Sequence, residues 1–327
     1  MIQITTRLME TKAKRVLVLA YSQSGQLSRV IEAILAPLKA DINTIIHVEE
    51  LRPVKRYPFP WTFFAFFDAF PESAHLVPPQ LEPLSLTGDE KFDLVILPYQ
   101  VWFLAPSLPV TAFLKLPLTK KLLANKPVVT VIACRNMWML AQEKMKMMLA
   151  ECGARLIDNV VLTDPSQTLV SIVTTPYWLL TGRQKGFMGL PPAGIHASDI
   201  ANSRRFGLAL CDALANDAEQ GKIPLLHGLS ACNADPHLYL SEQAGTRSFF
   251  LWGKLLRAVG APGQLRRRPF LIVYVVFLIL LILSVVPLSL MLQALLRPLL
   301  GRRYAILKQR FEAPSGSGEE RMGAYEH

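Results

Sequence analysis

Charge is scarce in this chain. Only 18% of its 327 residues are Asp, Glu, Lys or Arg, and 51% are hydrophobic. An ordinary soluble domain carries about 25% charged residues. The composition excludes a disordered chain and argues against a wholly soluble one. Cysteine is scarce as well. Cys134, Cys152, Cys211 and Cys232 include no CxxC pair and join no His/Cys cluster of zinc spacing, so no metal site is expected. The N-terminal Met1-Ile2-Gln3-Ile4-Thr5 has no apolar signal core, which predicts a cytosolic main domain with reduced thiols. The nucleotide-binding strings GxxxxGK[ST] and GxGxxG are both missing. No basic run is interleaved with aromatics, so no nucleic-acid partner is expected.

What charge there is has a distinctive placement. The net charge is +10, and residues 266–327 hold nine basic against four acidic residues. Half of the excess thus lies in the last fifth of the chain, a pattern of membrane flanks. Between those flanks, Pro269–Leu296 runs 28 residues without a charge. As a straight helix it would be ~42 Å long, more than the ~30 Å of a bilayer core. Pro287 inside it is expected to kink or end the helix. The basic flanks do not settle orientation. Lys254, Arg257, Arg266, Arg267 and Arg268 precede the run, and Arg297, Arg302, Arg303, Lys308 and Arg310 follow it. The expectation is a single-pass anchor in the inner (cytoplasmic) membrane with the N-terminal domain cytoplasmic. A re-entrant or interfacial helix kinked at Pro287, with both flanks cytosolic, is the other arrangement these flanks allow.

Short apolar, β-branched runs predict buried strands at Arg15–Tyr21, Ile42–Val48, Phe92–Pro98, Pro127–Ala133 and Leu156–Leu162. Helical spacing predicts helices at Leu27–Leu38, Met137–Leu149 and Ala197–Leu214, the last with Ser198 as N-cap, and an amphipathic helix at Phe249–Val259. Alternating strands and helices mean an α/β domain with a five-stranded, doubly wound parallel sheet. Residues 14–216 form this domain, after an extension 1–13. An accessory segment 217–265, the apolar helix 266–300 (core 269–296) and a polar tail 301–327 follow. Two stretches, 51–90 and 168–192, read as insertions. The first is unusual: eight of the chain's 29 aromatics lie within Tyr57–Phe70. Such a cluster is core, a surface lying on membrane, or an apolar slot for substrate. Glu72 and His75 after it are the nearest acid/base candidates, though a solvated loop Glu and a surface His are the simpler readings.

The turn Ser22-Gln23-Ser24-Gly25-Gln26 lies between the first strand and a helix N-terminus. Free backbone N–H groups and the helix dipole favour an anion there, and the hydroxyls and glycine allow a close wrap. Without a lysine, a monophosphate fits better than a triphosphate. An ordinary polar turn is the alternative. Two further loops leave strand C-termini, where ligands bind in such sheets. They are Tyr99-Gln100-Val101-Trp102-Phe103 and Cys134-Arg135-Asn136-Met137-Trp138. Each aromatic there could equally be core, Cys134 reads as a buried small hydrophobe, and Arg135 could be a structural salt bridge.

Tyr21–Gln26 resembles the FMN-phosphate loop of the flavodoxin-like family, with Leu27 in place of the usual final Thr and Ser28 adjacent. By that resemblance Ser22–Leu27 hold the phosphate, Tyr99–Phe103 and Cys134–Trp138 flank the flavin ring, and Trp102 or Phe103 stacks on it. Arg135, the one catalytic candidate, would face the flavin pyrimidine edge or a substrate oxygen. The longer strings FFDAFPES (66–73), YQVWFLAPSLPVTAFL (99–114) and VIACRNMWMLAQEKMK (131–146) are similar to the dialkylresorcinol condensing enzymes over 16–214. The C-terminal apolar run is an addition to that pattern. The resemblance implies an FMN-dependent oxidoreductase that aromatises a 2,5-dialkylcyclohexane-1,3-dione, a lipid-like substrate delivered by a ketosynthase and acyl carrier protein. A flavin-free scaffold for those partners, or an electron-transfer flavodoxin, are the competing readings. The net positive charge of residues 1–265 speaks against the last.

Overall fold

The computed structural model describes residues 13–186 and 189–325, with all their side chains but those of 285–287 and 289–300. Of the extension 1–13 only Ala13 falls within that range, Phe187 and Met188 of the second insertion fall outside it, and so does the side chain of Pro287.

β1 (Lys14–Ala20) leads through α1 (Gln26–Ala40) to β2 (Thr44–Glu50). Two short helices, α2 (Phe63–Asp68) and α3 (Phe70–Ala74), precede β3 (Leu94–Tyr99). A small hairpin of β4 (Val101–Trp102) and β5 (Ala105–Pro106) follows, then α4 (Leu108–Leu114) and α5 (Pro117–Leu123). Next come β6 (Pro127–Cys134), α6 (Met139–Glu151) and β7 (Arg155–Thr163). α7 (Thr168–Thr181), α8 (Ala197–Asn202), α9 (Arg204–Ala215), α10 (Tyr239–Val259) and α11 (Arg268–Glu312) end the chain.

The main sheet has the order β2-β1-β3-β6-β7, parallel throughout. This is the flavodoxin-like doubly wound order, covered on both faces. Side chains alternate across the strands. Leu17, Leu19, Val95 and Leu97 pack with α4, α5 and α6, whereas Val16, Val18, Leu94 and Ile96 pack with α1 and α9. At the α1–α9 contact a Cβ on Gly207 would lie 1.9 Å from the Ile34 carbonyl oxygen, so only glycine permits this approach.

Several elements depart from the sequence expectation. Residues 51–90 carry seven prolines, which leave only α2 and α3 where a crossover helix would run. Residues 197–215 form two helices, because Ser203 is buried and turns its hydroxyl back to the Ile200 carbonyl at 2.5 Å. Ser198 lies inside α8, whose N-cap is His196. Pro287 does not end α11, which is helical on to Glu312.

Residues 217–265 are built into the domain. Leu225, Leu226, Leu229 and Ala231 are buried against the α1–α9 side of the sheet, and the Val161 amide donates to the Ala231 carbonyl at 2.8 Å. β7 is an edge strand, and edges need cover. The chain beyond α11 adds a second layer: the amides of Ser230 and Cys232 donate to the carbonyls of Gly318 and Gly316. α11 itself is docked at both ends. Leu271 and Tyr274 are buried with Phe70 and Leu256, and Phe311 is buried against Tyr239, ring centres 5.4 Å apart.

Candidate functional site

The strand order reverses between β1 and β3, and the loops after β1, β3 and β6 lie side by side at the sheet's carboxyl edge. Ligands of doubly wound sheets bind at such a switch point. In the β1–α1 turn, Gly25 adopts φ +77°, and a Cβ there would meet no atom within 4 Å. The cradle is therefore open on that side and suited to glycine. Ser22 Oγ is buried and has no hydrogen-bond partner among the described residues. A buried hydroxyl seldom stays unpaired, and beside the free N–H groups of α1 it is a donor suited to an anion. Gln23 reaches across the turn and donates to the carbonyls of Tyr57 (3.1 Å) and Pro58 (2.6 Å), and accepts from the Tyr21 hydroxyl.

A cavity of ≈ 580 Å³ adjoins the turn, lined in part by Ser22, Gln23, Ser28, Arg52, Arg56 and Tyr57. The two arginines were not legible as site residues, since they lie 30 positions downstream in a proline-rich stretch. Arg52 is held by Glu50 (Nη2 to Oε2, 2.5 Å), while Arg56 approaches Glu82 only to 4.0 Å. Arg56 and Tyr57 also line a second, larger groove of ≈ 960 Å³, with Phe64, Ala65, Leu108 and Leu271 among its walls. A polar cavity lined by Glu50, Arg52 and Arg56 and a mostly apolar groove thus share one wall, and the base of α11 belongs to the groove.

The β4–β5 hairpin turns on Phe103 and Leu104, both at positive φ (49° and 58°). Such a turn matches strand twist but normally takes Asn or Gly, so two bulky residues there carry strain of the kind found at ligand-binding loops. The hairpin sets Trp102 within a cluster of rings, 4.9 Å from Tyr57, 5.4 Å from Trp61 and 6.0 Å from Tyr21. The neighbouring Phe103 packs instead with Phe66, Phe70 and Phe249. The two insertions meet above this edge. The Trp61 amide donates to the Leu179 carbonyl at 2.8 Å, and Phe59 meets Trp178 at 6.3 Å.

In the loop after β6, Arg135 is largely shielded from solvent, and burial lowers its pKa. It forms no ion pair among the described residues; its Nη2 contacts Met137 Sδ at 3.2 Å. A shielded guanidinium without a carboxylate partner is a natural seat for an oxyanion. Asn136 donates to Thr168 Oγ1 at 3.0 Å, but its Oδ1 is buried without a partner among the described residues, as is Gln100 Oε1. Val101 and Ser24 are half-buried at the same edge.

Other candidate side chains point away. Leu27 and Trp138 are core residues. Tyr99 is fully buried and donates to Gln142 Oε1 at 2.5 Å. Gln26 is buried against Ile195, accepting from its amide at 3.1 Å. Burial pushes the Cys134 thiol strongly up, so it is inert. Glu72 is not a solvated loop residue. It is buried and paired with Arg267 at 2.9 Å, which also binds Asp68 at 3.0 Å. His75 stacks on Phe250 at 4.3 Å and bonds its carbonyl through Nε2 at 3.0 Å. Both are structural groups.

One acid was missed. Glu242 of α10 is buried at the N-terminus of α6, where it accepts the amides of Met139 (3.2 Å) and Leu140 (2.7 Å). Burial pushes its carboxyl up to about 7, against those bonds and Arg135. Among the described residues, no group of His, Cys, Asp and Glu could hold a metal ion.

No protein-family model matches the chain, and no curated protein matches it. Among solved structures it is similar to a flavoprotein in complex with FMN from Lactobacillus acidophilus NCFM, at 17% identity over 46% of this chain and 93% of that one, TM-score 0.37. It is similar to a flavodoxin from the domain Archaea at 14% identity over 62% and 99%, TM-score 0.33. A flavone reductase matches at 11% over 64% and 65%, TM-score 0.34. The strand order, rather than these likenesses, assigns the chain its flavodoxin-like α/β fold.

Proposed function

We propose that this chain is a membrane-attached, FMN-dependent oxidoreductase, and that its substrate is a lipid-like 2,5-dialkylcyclohexane-1,3-dione converted to a resorcinol. The observation that carries the flavin is the open, glycine-turned loop with the unpartnered Ser22 hydroxyl at the switch point. Ser22, Ser24 and the first amides of α1 hold the phosphate, and the Trp102 cluster and the Gln100 and Asn136 amides border the ring. FMN, when bound, supplies a two-electron acceptor. Aromatisation removes a hydride and a proton from adjacent ring carbons of the enolised dione. Arg135 holds the dione's oxyanion and fixes the ring's orientation. The groove between Phe64 and Leu271 takes an alkyl chain, and its α11 wall lets the chain arrive from lipid. A ketosynthase and acyl carrier protein would deliver such a substrate, and the domain lies on the cytoplasmic face of the inner membrane.

The reading predicts yellow protein in detergent, with one FMN released per chain on denaturation. Colourless protein that binds no added FMN overturns it. The second reading, a flavin-free scaffold for the same partners, is favoured by the closure of Tyr21, Tyr57 and Trp61 upon Trp102. Flavin-free protein that still co-purifies with a synthase would establish it.

A further inference from the structure

The two docked ends of α11 constrain its path. Phe249 meets Tyr274 with ring centres 6.2 Å apart, and Tyr239 meets Phe311 at 5.4 Å. Along α10, Tyr239 and Phe249 are ten residues apart, or ~15 Å; along a straight α11, Tyr274 and Phe311 would be ~55 Å apart. Two ring contacts cannot absorb a mismatch of ~40 Å. α11 therefore folds back between Leu278 and Tyr304, and both ends sit on one side of the domain.

From this, and from the reading above that the apolar run sits in lipid, we infer that α11 is a re-entrant hairpin. It enters and leaves a phospholipid bilayer through the same leaflet. The length agrees. The 27 residues from Leu278 to Tyr304 make ~40 Å of helix. Folded in two, each leg reaches ~20 Å, short of the ~30 Å hydrocarbon core. The surface agrees. Leu271 and Tyr274 are buried on the domain, whereas Val273, Val276, Leu280, Leu283 and Leu288 are each more than half exposed, an apolar face that water does not favour. α10 extends this face with Leu251, 66% exposed. The charges agree as well. Arg266 and Arg268 at the entrance and Arg302 and Arg303 at the exit are exposed, a cationic rim suited to anionic headgroups. Five basic residues precede the apolar run and five follow it, the first of the latter, Arg297, lying within the folded-back span. A crossing helix is oriented by unequal flanks, but a hairpin whose flanks meet one leaflet has no such requirement.

The test uses the full chain in sealed inverted membrane vesicles and in intact spheroplasts, with Ile42→Cys on the domain and Ala313→Cys beyond α11. Both sites are exposed, and the wild type supplies the background from its native cysteines. A membrane-impermeant maleimide should label the two variants alike, with a ratio near one in each preparation and strong labelling in inverted vesicles only. Opposite labelling overturns the hairpin while leaving membrane attachment standing. Protein recovered in the soluble fraction without detergent overturns the attachment, and the hairpin with it. Trypsin acting on unmodified protein gives a check free of substitutions. Cleavage at Arg302–Arg303 should occur from the same side as cleavage within the domain, and cleavage from opposite sides overturns the proposal.

Discussion

Ser315 Oγ donates a 2.7 Å hydrogen bond to Asp158 Oδ1 and accepts one of 2.7 Å from the Asn159 amide. A residue 12 from the C-terminus thus completes the bonding of the edge strand β7. Asp158 also accepts the amides of Leu225 (2.7 Å) and Leu226 (3.2 Å). Ser315→Ala removes one donor to a buried carboxylate and orphans a buried amide, at a cost of about 1–3 kcal/mol. Thermal unfolding in detergent should show a lower Tm with unchanged flavin content. An unchanged Tm would mean that the tail is not part of the folded domain.

Arg135 separates stability from activity. Replacing this shielded guanidinium, which forms no ion pair among the described residues, by a hydrophobic group of similar length removes a desolvation cost that outweighs its attraction to Asp164 and Glu242. Arg135→Met should keep or raise Tm while lowering kcat on a cyclic 1,3-dione by about 100-fold, the range of a lost oxyanion donor. A steady-state assay with a flavin spectrum checks both halves. A variant that retains full kcat removes Arg135 from the site.

The phosphate loop predicts graded losses. Ser22→Ala deletes one hydroxyl donor and should weaken FMN binding about tenfold, or ~1.4 kcal/mol. Gly25→Val places a branched side chain at φ +77° and should cost more, through backbone strain. Fluorescence titration of apoprotein with FMN reads both. Equal affinity for wild type and the two variants would place the phosphate elsewhere.

How much of this was visible beforehand depended on sequence distance. Val16–Leu19 and Val128–Ile132 announce themselves as buried strands because their own composition fixes their environment. The position of the β1–α1 turn and its glycine was legible for the same reason, since the turn is defined within five residues. Glu242 and Ser315 were not. Their roles exist only because α10 reaches α6 and the tail reaches β7, contacts 103 and 157 residues apart along the chain. Glu72 misled because the Arg267 that claims it lies 195 residues away. Tyr99 and Trp138 belong to the loops that the sequence singled out, but strand and helix geometry turn them into the core.

Buried acids set the pH dependence. The Glu242 carboxyl rises from an ordinary 4.5 to about 7, and that of Asp158 from 3.8 to about 6, each chiefly through burial. The folded state then holds protons that the unfolded chain has released, so stability falls as pH rises through this window. As far as these groups decide it, Tm should be highest below about pH 4, decline to about pH 7, and flatten above. Glu242→Gln should remove the upper part of the decline, between about pH 6 and 7. An unchanged profile in that variant would show that Glu242 does not titrate in this range.

The strap over β7 also orders events during synthesis. Chains emerge N-terminus first, at about 5–20 residues per second. Gly316 and Gly318, which finish the cover of that edge, lie beyond α11. The ribosome must therefore release the whole of α11 before that edge can be covered. On the membrane attachment proposed above, delivery to the membrane would precede completion of the domain, and a chain that missed the membrane would present an unsealed strand edge and an unshielded apolar helix together.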